Sequence, residues 1–200
     1  VRKGQLTRQV ILQRAVQLSS KVGLEGLTIG TLAEDLELSK SGLFAHFQSK
    51  EALQLRTLEF AAVSFVDLVI RPALAAPRGI PRVQALFESW LDWPRRDPLQ
   101  GGCFFVAAAS ELDDRPGPLR DRLVGMQKDW LELIATTVRT AVLEGDLLES
   151  LEPEQFAHDL YGIMLGYHHA SRLLSDPEAE HRARKAFDRL LTHARRPVAN

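Results

Sequence analysis

A single cysteine, Cys103, stands in 200 residues. No disulfide can close within the chain, which fits a reducing compartment. Long apolar runs are missing as well. The most apolar stretch, residues 60–70, is broken by Ser64 and Asp67. It falls far short of the roughly 20 residues that a membrane span needs. No apolar signal core follows Val1-Arg2-Lys3-Gly4-Gln5, so no leader and no membrane partner are expected, and the expected location is cytoplasmic. No segment alternates with period two for long enough to make a strand. There is no glycine-rich phosphate loop and no serine elbow with His and Asp companions. The chain is therefore not expected to be an enzyme, and no cofactor is expected. The six histidines lack metal-ligand spacing. His168 and His169 adjoin, so they point about 100° apart on a helix. Glu154 and His158 stand at i, i+4 as one pair only, so no metal is expected.

Excess charge is also missing, at −1 overall, but its distribution is uneven. Residues 1–50 hold seven Lys or Arg against four Asp or Glu, a balance of +3; the remaining 150 hold 18 against 22, a balance of −4. A basic front on a mildly acidic body fits a front end that meets an anion.

What fills the chain is helical periodicity. Ile11, Ala15, Leu18 and Val22 fall on one helical face, with Thr7 to cap its start and Gly23 its end. Thr28 caps a second helix whose apolar face is Ile29, Leu32, Ala33 and Leu36. Ser39 caps a short third carrying Leu43 and Phe47. Ser49 caps a fourth from Lys50 to about residue 73, limited by Pro72 and Pro77. Further helices are predicted over about 82–93, 102–112 and 118–144. Two more open at Pro153 and, after an Asp176 cap, at Pro177. The expected fold class is all-α, with nine helices.

The stretch "LELSKSGLFAHFQSKEAL", residues 36–53, interrupts this pattern with small and basic residues. Two short helices over 28–36 and 39–47, joined by a tight turn, make a helix-turn-helix. The second helix of such a motif reads base edges with its N-terminal residues. Small side chains there let the backbone approach DNA, and Ser39, Lys40, Ser41 and Thr28 can donate to phosphates or bases. An all-helical bundle with a short connecting helix is the plainer reading of the same residues.

"LTIGTLAEDLELSKSGLFAHFQSKEAL", residues 27–53, resembles the signature of TetR-type transcriptional regulators. Thr28, Ala33, Ser39, Lys40, Leu43, Phe44, Phe47, Ser49, Lys50, Glu51 and Leu53 fit the family pattern. The resemblance covers roughly the first 55 residues. It implies a nine-helix, two-domain fold, with a helix-turn-helix DNA-binding domain over 1–48 and a ligand-binding and dimerisation domain over 49–200. It also implies a homodimer on a double-stranded DNA operator and a small-molecule effector. The implied function is a ligand-responsive repressor, released from a palindromic operator by a small apolar effector. Carried over by position, Thr28, Ser39, Lys40, Ser41, Gly42, Ala45, His46 and Lys50 would face DNA. Phe44 stands on the same surface where the family usually has Tyr, so a phosphate-contacting hydroxyl is absent. Glu37 occupies the turn position where the family commonly has Gly. It would be strained in a left-handed backbone and adds a negative charge near DNA. Glu37 favours the other reading, a small-molecule-binding or catalytic helical protein that keeps the N-terminal fold without DNA function.

Bulky aromatics are spread over several helices of the second half. Most suit a core, but an apolar pocket with a few polar groups also suits a small ligand. Trp90, Phe105, Met126, Trp130, Tyr161 and His168 are the candidate lining. Gly162 and Gly166, at i, i+4, would let another helix approach closely. With the last helix they form the candidate dimer face. Packing within the chain is the alternative for these glycines. Cys103 follows Gly101-Gly102 at a helix start, where a thiol can be activated; beside Phe104 and Phe105 it reads better as buried and inert.

Overall fold

The computed structural model describes residues 8–96 and 101–197; the expected Thr7 cap lies outside them. Nine helices stand among the described residues. They are α1 (Arg8–Gly26), α2 (Ile29–Asp35), α3 (Lys40–Phe47), α4, α5 (Ile80–Arg96), α6 (Phe104–Leu112), α7 (Pro118–Leu143), α8 (Pro153–Arg172) and α9 (Ala179–Ala194). Helix α4 is α-helical over Lys50–Phe65, passes through a π-helical turn at Val66–Ile70, and resumes as Arg71–Ala75. It thus ends at Ala75, two residues beyond the expected end, with Pro72 accommodated inside it. Proline lacks an N–H, and its ring crowds the carbonyl four residues back. That residue is Leu68, inside the wider π turn. Packing sorts the chain into two units, 1–65 with 94–125, and 66–93 with 126–200. None of these three packing boundaries falls at residue 48, where the expected functional division lies.

In the first unit, α1 packs against α2, α4 and α6. Its buried face is Ile11, Leu12, Ala15, Val16, Ser19, Ser20 and Leu24. This corrects the face expected from apolar spacing, because Val22 is 49% exposed and Leu18 only half-buried. The two serines replace them inside because their hydroxyls are satisfied. Ser19 Oγ donates to the Ala15 carbonyl at 2.8 Å. Ser20 Oγ donates to the Gln17 carbonyl at 2.8 Å and accepts from the Gly101 N–H at 3.3 Å. A Cβ added at Gly101 would stand 1.4 Å from the Ser20 carbonyl oxygen, so only glycine fits this crossing of two backbones. Arg14 grips Asp35 with two hydrogen bonds, at 2.6 and 2.9 Å, and fixes α2 to α1. The guanidinium holds the Asp35 carboxyl below its ordinary value. Phe105 meets both Phe65 and Phe104 edge-on, with ring centroids 5.4 Å apart in each case.

Helix α1 gives way at Gly23, whose φ of 79° is left-handed. The backbone beyond it is caught from two sides. Glu111 of α6 accepts the Leu24 N–H at 3.0 Å and the Glu25 N–H at 2.8 Å. Gln54 of α4 donates to the Leu24 carbonyl at 2.6 Å.

In the second unit, Phe87 of α5 stacks on Phe187 of α9 at 4.3 Å. Val83, Leu86, Leu91, Ile134, Val138, Phe156, Leu160 and Met164 are buried. Met164, not Ile163, fills the inward position on α8. Arg184 binds Glu88 of α5 and Glu180 on its own helix. Helix α9 starts at Ala179, two residues later than Pro177 suggests. Asp176 Oδ1 accepts the Glu178 N–H at 2.9 Å and forms a turn ahead of the helix. No helix among the described residues is long and apolar enough to cross a membrane.

Candidate nucleic-acid interface

The surface is built from the ends of two short helices. At the start of α2, Thr28 accepts the Thr31 N–H at 3.0 Å, and Thr31 Oγ1 accepts the Thr28 N–H at 2.9 Å. This reciprocal capping box fixes where α2 begins. At the start of α3, Ser39 accepts the Gly42 N–H at 3.2 Å. Both residues thus serve first as caps. The turn between the helices runs through Glu37, with φ of 53°. The Glu37 N–H reaches the Glu34 carbonyl and the Leu38 N–H the Ala33 carbonyl, so α2 ends in a left-handed cap.

Leu43 and Phe47 are buried and anchor α3 to the small core. That leaves Ser39, Lys40, Ser41, Gly42, Phe44, Ala45 and His46 exposed together on its other side. Lys40 lies over α2. A Cβ placed on Gly30 would meet its Cε at 3.6 Å, its Nζ at 3.7 Å and Thr28 Oγ1 at 3.5 Å. These are ordinary van der Waals distances, so the lysine stem runs alongside Gly30 without depending on its missing side chain. Phe44 is 53% exposed, an apolar ring on the face that α3 turns away from its core.

Lys50 opens α4 and is half-buried. Its ammonium is bound by Glu25 Oε1, and Arg115 reaches the other oxygen at 3.1 Å. Lys50 above all, and Arg115 with it, hold the Glu25 carboxyl below the ordinary carboxylate value. Sequence reasoning misses Glu25, Glu111 and Arg115. They are brought together across 86 or more residues, and no local spacing marks such a junction.

The candidate ligand residues divide between the units. Phe105 belongs to the first, packed on Phe65 and Phe104. Trp90, Met126, Trp130, Tyr161 and His168 belong to the second. There Trp90 is buried edge-on to Tyr167 at 6.1 Å. Tyr161 donates to Gln127 at 2.9 Å. Trp130 is buried, and Met126 and His168 are half-buried. Burial lowers the His168 pKa, with Arg172 and His169 acting in the same direction. Glu154, the i, i+4 neighbour of His158, is bound to Arg139 at 2.8 Å. No group of three or more ligating side chains stands ready for a metal among the described residues. Cys103 is buried at the start of α6.

The left-handed Glu37 carries its own prediction. A non-glycine residue there costs about 1–2 kcal/mol. Glycine would return roughly 0.5–1 kcal/mol of that gain through the unfolded chain's entropy. Glu37→Gly should therefore stabilise the protein by about 0.5–1 kcal/mol. Thermal melting reads this directly, and a lower melting temperature would contradict it.

Comparison with known proteins bears on the same residues. Residues 11–57 match the model of bacterial regulatory proteins of the tetR family. Residues 79–187 match that of the tetracyclin repressor-like C-terminal domain. Over 125 residues the chain is 29% identical to the HTH-type transcriptional regulator TcmR of Streptomyces glaucescens, covering 61% of this chain and 54% of TcmR. Over 48 residues it is 42% identical to the class C tetracycline repressor of Escherichia coli, covering 24% of this chain and 22% of that protein. The chain thus spans about half the length of TcmR and under a quarter of the class C repressor. The crystal structure of a TetR transcriptional regulator from Chloroflexus aurantiacus superposes with a TM-score of 0.83 at 27% identity, covering 96% of each chain. AibR, solved in complex with isovaleryl coenzyme A and operator DNA, shares the fold with a TM-score of 0.71 at 18% identity, covering 94% of this chain and 98% of that one. With both of its halves matched, the chain belongs to the TetR family of bacterial regulatory proteins.

Proposed function

We propose that the chain is a ligand-responsive DNA-binding regulator, a repressor that acts as a homodimer and leaves a palindromic operator when a small, mainly apolar effector binds. The observation that carries this reading is α3. It buries Leu43 and Phe47 and turns every small, hydroxylated or basic residue outward as one surface. A two-turn helix with small outward residues brings its backbone close to base edges, and Lys40 and Lys50 supply phosphate contacts. AibR, with a CoA thioester and an operator in one structure, is an example of this fold holding both kinds of partner.

The homodimer rests on α8 and α9, which pack on each other. Gly162, Leu165 and Gly166 of α8 and Leu173 at its C-cap are exposed in a row. A Cβ at either glycine would meet nothing within 4 Å, which argues against packing within the chain as their purpose. Effector binding shifts the operator equilibrium only through its differential affinity for the two states, and the effect is reciprocal. Trp90, Trp130 and Tyr161 are the proposed sensing residues.

The test is selection from a randomised duplex pool at low salt, followed by titration of the selected duplex. Lys40→Ala and Lys50→Ala should each weaken binding. Removing one phosphate contact should shallow the slope of log K against log salt by about 0.9. A protein that enriches no sequence would defeat the regulator reading and leave a helical small-molecule-binding protein.

A further inference from the structure

Lysine at the first position of a helix opposes the helix dipole, which favours negative charge there. Lys50 holds that position in α4, and its ammonium is already bound by the Glu25 carboxylate. The backbone under Glu25 is fixed. Its N–H and that of Leu24 are held by Glu111, and the Leu24 carbonyl is held by Gln54. Glu25 is therefore a positioned group rather than a wandering surface acid. Its second oxygen faces Arg115 at 3.1 Å. All three side chains are open to solvent, at 51% for Glu25, 40% for Lys50 and 56% for Arg115. An exposed ion pair of this kind is weak, so a DNA phosphate with its strong field can replace one partner.

We propose that Glu25 is an internal stand-in for a DNA phosphate: it occupies the Lys50 ammonium in the free protein, yields it to the backbone phosphate on binding, and is then retained by Arg115. The proposal rests on the DNA-binding reading above and adds a residue that sets affinity without touching DNA. Glu25 acts as a brake and Arg115 as the device that releases it. The carboxylate and its arginine neighbour therefore have opposite effects on binding.

The test is a double-mutant cycle on the duplex that the unmodified protein selects from a random pool, with melting temperatures measured alongside. Glu25→Gln should tighten binding about two- to fivefold per half-site, the range of an exposed ion pair. In a Lys50→Gln background the same change should have almost no effect, because no ammonium is there to be freed. Arg115→Gln should weaken binding about twofold, since Glu25 then holds Lys50 alone. Glu25→Asp, which keeps the charge but shortens the reach, should act in the direction of Glu25→Gln and serves if the latter melts early. Equal tightening in both backgrounds would show simple removal of a negative charge and overturn the proposal. Weaker binding by Glu25→Gln would show that Glu25 positions Lys50, and would overturn it too. An unmodified protein that selects no duplex defeats the underlying reading and this inference together. One that binds but is indifferent to Glu25 defeats the inference alone.

Discussion

Gly101→Ala is expected to lower stability by about 3 kcal/mol or more, the upper end of what overpacking costs. For a chain of this size that is a fall in melting temperature of roughly 6–12 °C. The cause is geometric. The added Cβ would lie 1.4 Å from the Ser20 carbonyl oxygen and 2.3 Å from its carbon. Both are backbone atoms of a helix, so no rotamer change relieves the overlap. The backbone must move apart, breaking the Gly101 N–H bond to Ser20 Oγ and exposing the α1 face that holds Ser19 and Ser20. Gly125→Ala is the matched control. It lies inside α7, and a Cβ there meets nothing within 4 Å. Alanine should stabilise that helix by about 0.5–1 kcal/mol. Melting curves of the two variants should move in opposite directions; an unchanged Gly101→Ala would mean that the crossing is looser than described.

Gly166→Leu should convert a proposed dimer into a monomer while leaving the fold of each chain intact. The position is exposed and unobstructed within the chain. A leucine there replaces the poorest helix former apart from proline and should strengthen the isolated helix slightly. Against a second copy it would act differently. Two helices that approach across glycines lie closer than the usual 8–10 Å, and a leucine side chain does not fit between them. Sedimentation should show half the mass. Operator affinity should fall by about a hundredfold or more at fixed protein concentration, because two linked half-site contacts become two independent ones. Normal circular dichroism with an unchanged mass would reject α8 as the dimer face.

Much of this is legible in the sequence for physical reasons. Thr28, Ser39 and Ser49 read as caps because a side-chain oxygen three residues ahead of a free N–H is a local arrangement. Each makes that bond. Leu43 and Phe47 read as the buried side of α3 because their spacing is helical. Glu37 reads as strained because turn chemistry is local, and its φ is left-handed. What escapes are arrangements made by distant segments. Apolar spacing misplaces the face of α1 because buried serines look polar on paper; they enter the core only because their own helix carbonyls and Gly101 satisfy them. The π turn at Val66–Ile70 within α4 escapes because it leaves no sequence mark. The Glu25, Glu111, Arg115 and Gln54 junction depends on which helices become neighbours, and hydrophobic period says nothing of charged residues outside the core. Size alone marks the candidate ligand residues, and size separates a core aromatic from a pocket aromatic poorly. Phe105, packed among phenylalanines of the first unit, illustrates the difficulty.

The grip of Glu111 on the turn after Gly23 bears on modularity. The first 48 residues look like an interchangeable cassette, the kind of segment one would graft onto a different sensor. Yet the two N–H groups beyond the Gly23 break find their acceptor on α6, the carbonyl between them finds its donor on α4, and the backbone at Ser20 leaves space for one particular glycine. A chimera cut at residue 48 would carry an α1 whose end is uncapped and whose buried serines face a foreign surface. The smallest portable frame for the helix-turn-helix includes α4 as far as Gln54 and residues 101–115 as well, although the latter lie far along the chain. If α3 reads DNA as proposed, swapping specificity means replacing its outward residues one by one on the native frame, not transplanting the domain that displays them.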